Sequence, residues 1–139
     1  MSYGYSILDH PADLGIEATG PTAPAAFENA ATALMSIILD LSGVVCRETR
    51  EIEINASDHG QLLVNWLTEI LYLYDGQHFV AKEFTVRELT GACLKASVAG
   101  EPFSPGRHRT KLDVKAVTYH QLLIEQNTGG VLVRVFLDI

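Results

Sequence analysis

The alternation of hydrophobic and polar positions divides the 139-residue chain into two segments of helical period and seven of strand period. From Thr22 to Leu41 the apolar residues fall at Phe27, Ala30, Ala31, Leu34, Ile37, Ile38 and Leu41, one face of a 3.6-residue helix. Thr22 is placed to cap its start, Pro24 sits in the first turn where its missing N–H is harmless, and Gly43 is expected to close the end. The second helix lies in DHGQLLVNWLTEILYLYDG. Its stripe is Leu62, Leu63, Trp66, Leu67, Ile70, Leu71 and Tyr74, with Asp58 as its cap and Gly76 expected at the C′ position.

Strand patterning covers residues 3–9 and 14–19, joined by the turn HPAD, and residues 47–55, where Arg50, Ile52 and Ile54 alternate with Thr49, Glu51 and Glu53. Residues 83–89 and 92–99 flank Thr90-Gly91, a hairpin signal. The loop GEPFSPGRHRT follows, and residues 113–125 and 131–138 flank a second hairpin turn, QNTGG. The expectation is an α+β domain spanning residues 1–139: a largely antiparallel or mixed sheet of about seven strands with two amphipathic helices packed on it. With the last turn centred near Thr128, paired positions sum to about 256 or 257, so Asp138 is expected opposite Thr118 or Tyr119, within reach of the 116–120 stretch.

Composition narrows the class. A hydrophobic fraction of 47% fits a folded chain that buries a core without staples. No apolar run approaches the ~20 residues of a membrane span. The start MSYGYSILDH carries neither a basic region nor an apolar signal core, so a cytoplasmic location is expected and no membrane partner. Cys46 and Cys93 have no ligand-like spacing and are expected to be small core residues. The net charge of −7 argues against tight direct binding of nucleic acid, which requires a basic surface. An acidic protein can still serve RNA metabolism by binding a basic partner.

Three places hold candidate chemistry. DHPAD, residues 9–13, puts Asp9, His10 and Asp13 in one turn, which is also a composition that forms turns for backbone reasons alone. At the far end, Asp138 follows Phe136 and Leu137 and precedes Ile139. Were Asp13, Asp138 and a terminal carboxylate to meet, each pair at ~5 Å would cost on the order of 3 kcal/mol at an effective dielectric of about 20. Such a cluster calls for a cation, and all-oxygen ligands favour Ca²⁺ or Mg²⁺ over zinc. The third place is KLDVKAVTYHQL, where Lys115 and Tyr119 are expected on one strand face and His120 on the other. No phosphate loop, nucleophile elbow or zinc spacing is present.

Taken in order, DHPADLGIEATG, AFENAATAL, LLVNWLTEILYLYD, the Glu83-Phe84 pair, GEPF, DVKAVTYH and the closing LDI resemble the archease family, over nearly the whole chain. The resemblance implies a small cytoplasmic, non-enzymatic cofactor of an RtcB-type RNA-splicing ligase. That ligase joins a 2′,3′-cyclic phosphate or 3′-phosphate end to a 5′-hydroxyl after taking GMP from GTP onto a histidine; archease promotes that guanylylation and multiple turnover. It also implies a metal site, usually described as calcium with magnesium or manganese as alternatives, held here by Asp13, Asp138 and a main-chain or terminal oxygen of Ile139. Asp9, His10, Lys115, Tyr119 and His120 are then accessory or partner-contact residues. Three positions depart from the family pattern: Pro11 where Thr is frequent, PTAPAA where the first helix usually begins with acids, and Asp113 where Glu is common. The competing reading is a metal-dependent phosphoesterase using Asp9, His10, Asp13 and His120.

Overall fold

The computed structural model describes residues 3–9 and 13–139. In chain order its elements are β1 (Gly4–Asp9), β2 (Leu14–Gly20), α1 (Ala23–Ile38), a 3-10 turn (Leu41–Gly43), β3 (Glu48–Asn55), α2 (His59–Asp75), β4 (Phe79–Leu89), β5 (Cys93–Pro102), β6 (Ala116–Asn127) and β7 (Gly130–Asp138). All seven strands pair antiparallel, as the α+β expectation has it. They form two sheets, ordered β1-β2-β7-β6 and β3-β5-β4. Strand alternation states which face is apolar but not which strands share a sheet, so this division appears only in the pairing.

Both helices are shared between the sheets. α1 packs on β2 and β7 of the first sheet and on β4 of the second; α2 packs on β6 and on β4. Because α1 is covered from two sides, its buried set widens beyond one stripe to include Ala26, Ala33 and Met35. Alanines dominate its contact faces, which lets strands approach closely on both sides. α2 keeps the expected stripe: Leu62, Leu63, Trp66, Leu67 and Ile70 are fully buried, and the Trp66 indole N–H donates to the Phe27 carbonyl of α1 at 3.0 Å. Tyr74 is only half-buried and meets Phe103 edge-on at 5.8 Å.

The caps fall where expected at the starts: Thr22 accepts from the Ala25 N–H and Asp58 from the Gln61 N–H. The ends differ. α1 stops at Ile38, before Leu41, because Leu39 turns to extended backbone and bridges to Thr110, while the Lys111 N–H donates to the Ile38 carbonyl at 2.8 Å. Gly76 is the C-cap of α2 in right-handed geometry, and the left-handed residue beyond it is His78, φ 54°. β4 starts at Phe79, four residues earlier than its alternation suggests: Phe79, Val80 and Ala81 are all buried, and an extra residue at Lys82 interrupts the period. β6 starts at Ala116, three residues later than expected. Neither cysteine is a core residue: Cys46 is exposed and Cys93 half-buried. Partial desolvation of its sulfur by the surrounding chain, exposed though the residue is, and the Glu83 carboxylate beside it push the Cys46 thiol up to about 11. No helix among the described residues is long and apolar enough to cross a membrane.

Candidate functional site

The carboxyl end of β7 lies between the start of β2 and the start of β6. Leu14 pairs with Leu137 as the last pair of the β2–β7 ladder, and Asp13 and Asp138 are the next residues beyond that pair on the two segments. On the other side Ala116 pairs with Asp138, and the Lys115 N–H donates to the Asp138 carbonyl at 2.8 Å. Three segments distant in sequence therefore bring Asp13, Lys115, Asp138 and Ile139 to one end of one sheet. Asp13 is half-buried with its Oδ1 shielded from solvent, while Asp138, Lys115 and Ile139 are exposed. Asp9 ends β1 opposite Leu14. His10, and with it most of the HPAD turn, lies outside the described residues. Among the described residues, no three His, Cys, Asp or Glu side chains converge on one point; the ensemble consists of two carboxylates and main-chain oxygens.

The register of the last hairpin keeps Asp138 on the 116–120 stretch, as expected, but changes its partner. Near its turn the pair sum is 257, as in Asn127 with Gly130 and Leu123 with Arg134. Beyond the turn it falls to 254, as in Thr118 with Phe136, so Asp138 faces Ala116 rather than Thr118 or Tyr119. Residues 119–122 of β6 oppose the single residue Val135, and Gln121 adopts φ 52°. This bulge throws Tyr119 and His120 outward; Tyr119 is 55% exposed. Thr118 ties the bulge down: its hydroxyl donates to the Phe136 carbonyl at 2.9 Å and accepts the His120 N–H at 3.2 Å. The His120 ring meets Phe136 edge-on at 6.0 Å. Phe136 in turn covers Gly15, its cross-strand partner, where a Cβ would lie 2.8 Å from the ring. Glycine at position 15 is what lets the aromatic ring lie flat over β2 beside the site.

A second constellation was not singled out in the sequence. Glu101 near the end of β5 is 3% exposed and receives four groups. The Val45 N–H donates to its Oε2 at 2.8 Å, Arg107 donates to the same oxygen, His108 Nε2 lies 2.9 Å from it, and Arg47 Nε is 3.3 Å from Oε1. The Ser104 N–H donates to His108 Nδ1 at 2.9 Å, which assigns the ring proton to Nε2, directed at the carboxylate. The Val45 bond first, then those from His108 and Arg107, hold the Glu101 carboxyl down to about 2. The only signal in the chain was GEPF followed by a loop dense in Arg and His; nothing in it announces that the glutamate is buried.

Lys111 closes this loop onto α1: its ammonium donates to the Ser36 carbonyl at 2.8 Å, where a cation also meets the negative end of the helix. β2 runs away from Asp13, and α1 returns over a similar length, ~1.5 Å per residue against ~3.3 Å for a strand. The end of α1 and the loop bound to it therefore lie at the same end of the molecule as Asp13 and Asp138.

Comparison with known proteins identifies the family. Residues 5–139 match the model of the archease protein family. The archease of Methanosarcina mazei is 37% identical over 139 residues, covering 97% of this chain and 95% of its own length. That of Sulfolobus acidocaldarius is 38% identical over 136 residues, covering 97% and 98%. The solution structure of protein 1598 of Methanobacterium thermoautotrophicum superposes with a TM-score of 0.84 at 34% identity, over 98% of this chain and 99% of that one. A Thermotoga maritima crystal structure described as an archease and possible chaperone shares the fold at a TM-score of 0.60 and 19% identity, over 95% and 94% of the two chains. On the family match and on relatives aligned along almost their whole length, this chain is a member of the archease family.

Proposed function

We infer that the protein acts as the non-enzymatic cofactor of an RtcB-type RNA-splicing ligase, promoting guanylylation of the ligase from GTP and its repeated turnover. Family membership across residues 5–139 is the observation that carries this reading. The alternative of a phosphoesterase gains no support: the relatives are archeases, and His120 sits in the β6 bulge with its ring edge-on to Phe136. The compartment is the cytoplasm, where such a ligase works.

The working end is the tip formed by β2, β6 and β7. Its donor set suits a hard divalent cation, calcium by preference: two carboxylates, Asp13 and Asp138, just beyond the last β2–β7 pair, with a main-chain oxygen of Ile139 following Asp138. A cation bound there would supply positive charge and, having few protein ligands, open coordination positions. The chain's own part is positional. β7 fixes Asp138 against Ala116 of β6, and the Lys115–Asp138 backbone bond sets where β6 begins. The bulge directs Tyr119 and His120 outward at the same end, where they form the contact with the ligase. Activation follows from positioning, without covalent chemistry on this chain.

The test mixes purified ligase, labelled GTP and this protein, as wild type or Asp138→Ala. Loss of stimulated ligase–GMP formation in the variant is expected. Equal rates would remove Asp138 from the mechanism, and no stimulation by the wild type would remove the reading itself.

A further inference from the structure

Cations are unevenly placed. Of the ten Lys and Arg in a chain of net charge −7, four fall within residues 107–115: Arg107, Arg109, Lys111 and Lys115. That stretch holds one acid, Asp113. Arg47 joins the patch through Glu101. The carboxylates nearest these cations are Glu101, Asp113 and Asp40, whose negative charge faces Arg109 and Lys111. Glu101 holds Arg47, Arg107 and His108, and Asp40 accepts the backbone N–H and hydroxyl of Ser42. Arg109 is exposed and forms no ion pair among the described residues.

The backbone presenting these charges is pinned at several points. Ser104 accepts the N–H groups of Arg107 and His108 at 3.0 and 2.9 Å. The Arg109 carbonyl accepts the Asp40 N–H at 2.9 Å, and the Lys111 N–H reaches Ile38. The buried Glu101–His108 pair anchors the segment from below. Beside it, residues Pro105–Arg109 line an open recess of about 350 Å³. Lys115, whose N–H bonds Asp138, is four positions beyond Lys111, so the patch ends within ~14 Å of the tip.

We propose that the Arg107–Lys111 segment contacts the phosphate backbone of the RNA strand held by the ligase, with Arg109, exposed and outside any close ion pair among the described residues, as its leading cation. A rigid loop of cations beside the tip, on an otherwise acidic molecule, suits a polyanion that the free protein does not bind tightly but meets once docked. The proposal rests on the ligase-cofactor reading above. It assigns the patch to RNA rather than to an acidic face of the ligase.

The test uses Arg109→Ala, which removes only the side chain and leaves the backbone bond to Asp40. Lys95→Ala, at the other end of β5 and ~20 Å away along the strand, is the charge-matched control. Affinity of the ligase–cofactor complex for a labelled single strand with a 3′-phosphate is measured by anisotropy across a salt series. Guanylylation without RNA is measured in parallel. Loss of one phosphate contact makes the slope of log K against log salt shallower by about 0.7, an affinity loss of about eightfold at 50 mM salt. The expected result is that loss for Arg109→Ala, none for Lys95→Ala, and RNA-free guanylylation at the wild-type rate for both. Unchanged RNA affinity overturns the proposal. So does an equal loss in RNA-free guanylylation, which would assign the patch to the ligase protein. A wild type that stimulates neither step sinks the underlying reading instead, and is distinguishable because it needs no variant.

Discussion

The β6 bulge can be excised without moving either flank. Thr118 pairs with Phe136 and Leu123 with Arg134, a separation of two residues on β7 spanned by five on β6. Deleting Tyr119, His120 and Gln121 leaves two steps on each strand, so both registers survive and Leu122 falls opposite Val135. Val135 faces the core, and Leu122 already packs toward Gly60 at the start of α2, so the new pair is apolar on apolar. The deletion removes a non-glycine residue at φ 52°, which relieves about 1–2 kcal/mol. It sacrifices the edge contact between His120 and Phe136, about 0.5–1.5 kcal/mol, and the exposed His120 N–H bond to Thr118, about 0.5 kcal/mol. The two nearly cancel, so stability stays within about 1 kcal/mol of wild type, about 3 °C in Tm for a chain of this size. Ligase guanylylation stimulated by the deletion variant is expected to fall by tenfold or more, because the residues turned outward at the tip are gone. Calorimetry and the labelled-GTP assay read the two outcomes. A Tm lowered by ten degrees or more would show that the bulge is part of the packing. Full stimulation at unchanged Tm would show that it makes no contact with the ligase.

Three further outcomes are expected. Calcium at about 100 times its dissociation constant should stabilise the wild type by about 2.7 kcal/mol, near 8 °C, and Asp13→Ala or Asp138→Ala should abolish that shift in differential scanning fluorimetry; an undiminished shift would place the ion elsewhere. Because the Glu101 carboxyl is held to about 2 in the folded protein, below its ordinary 4.5, its contribution is complete above pH 4.5 and is lost as pH falls toward 2. Urea midpoints of Glu101→Gln should therefore start lower at neutral pH and decline less steeply across that window, and parallel slopes would contradict the assignment. Gly100→Ala puts a Cβ 1.8 Å from the Val80 carbonyl oxygen, a backbone atom that cannot swing aside. A loss of about 3 kcal/mol is expected, and a wild-type Tm would show that β4 and β5 separate more easily than their pairing implies.

What was legible in the chain is what local chemistry controls. Thr22 and Asp58 cap their helices because a side-chain oxygen two or three residues before a free N–H has little choice of partner. The stripes of both helices were visible for the same reason, and so was the last hairpin near its turn, where Asn127 and Gly130 fix the register. Legibility faded with distance from those signals. The sum of 257 holds for five pairs, and then three additional residues in β6 shift it, because a bulge is stabilised by what it packs on. Phe136 over Gly15 and Thr118 on the Phe136 carbonyl are contacts between strands that no window of sequence contains. Glu101 was hidden in the same way: its four partners come from residues 45, 47, 107 and 108, and only the fold makes a surface-like tetrapeptide into a buried anchor.

These two unread features, the bulge and the anchored loop, flank the end of the sheet where the last β2–β7 pair, Leu14 with Leu137, leads into Asp13 and Asp138. That distribution has a physical reason. A ladder rung needs only regular strands, and regular strands write themselves as alternation. Residues that must project from the end of a sheet toward a partner require the alternation to break. The bulge breaks it at Gln121, and the loop does so by binding its cations' backbone to α1 and its carboxylate to the interior. The contact surface of this molecule is therefore to be sought where strand periodicity fails next to Asp138, and substitutions on the regular faces of β3 and β5, remote from that end, should leave ligase stimulation intact at equal stability.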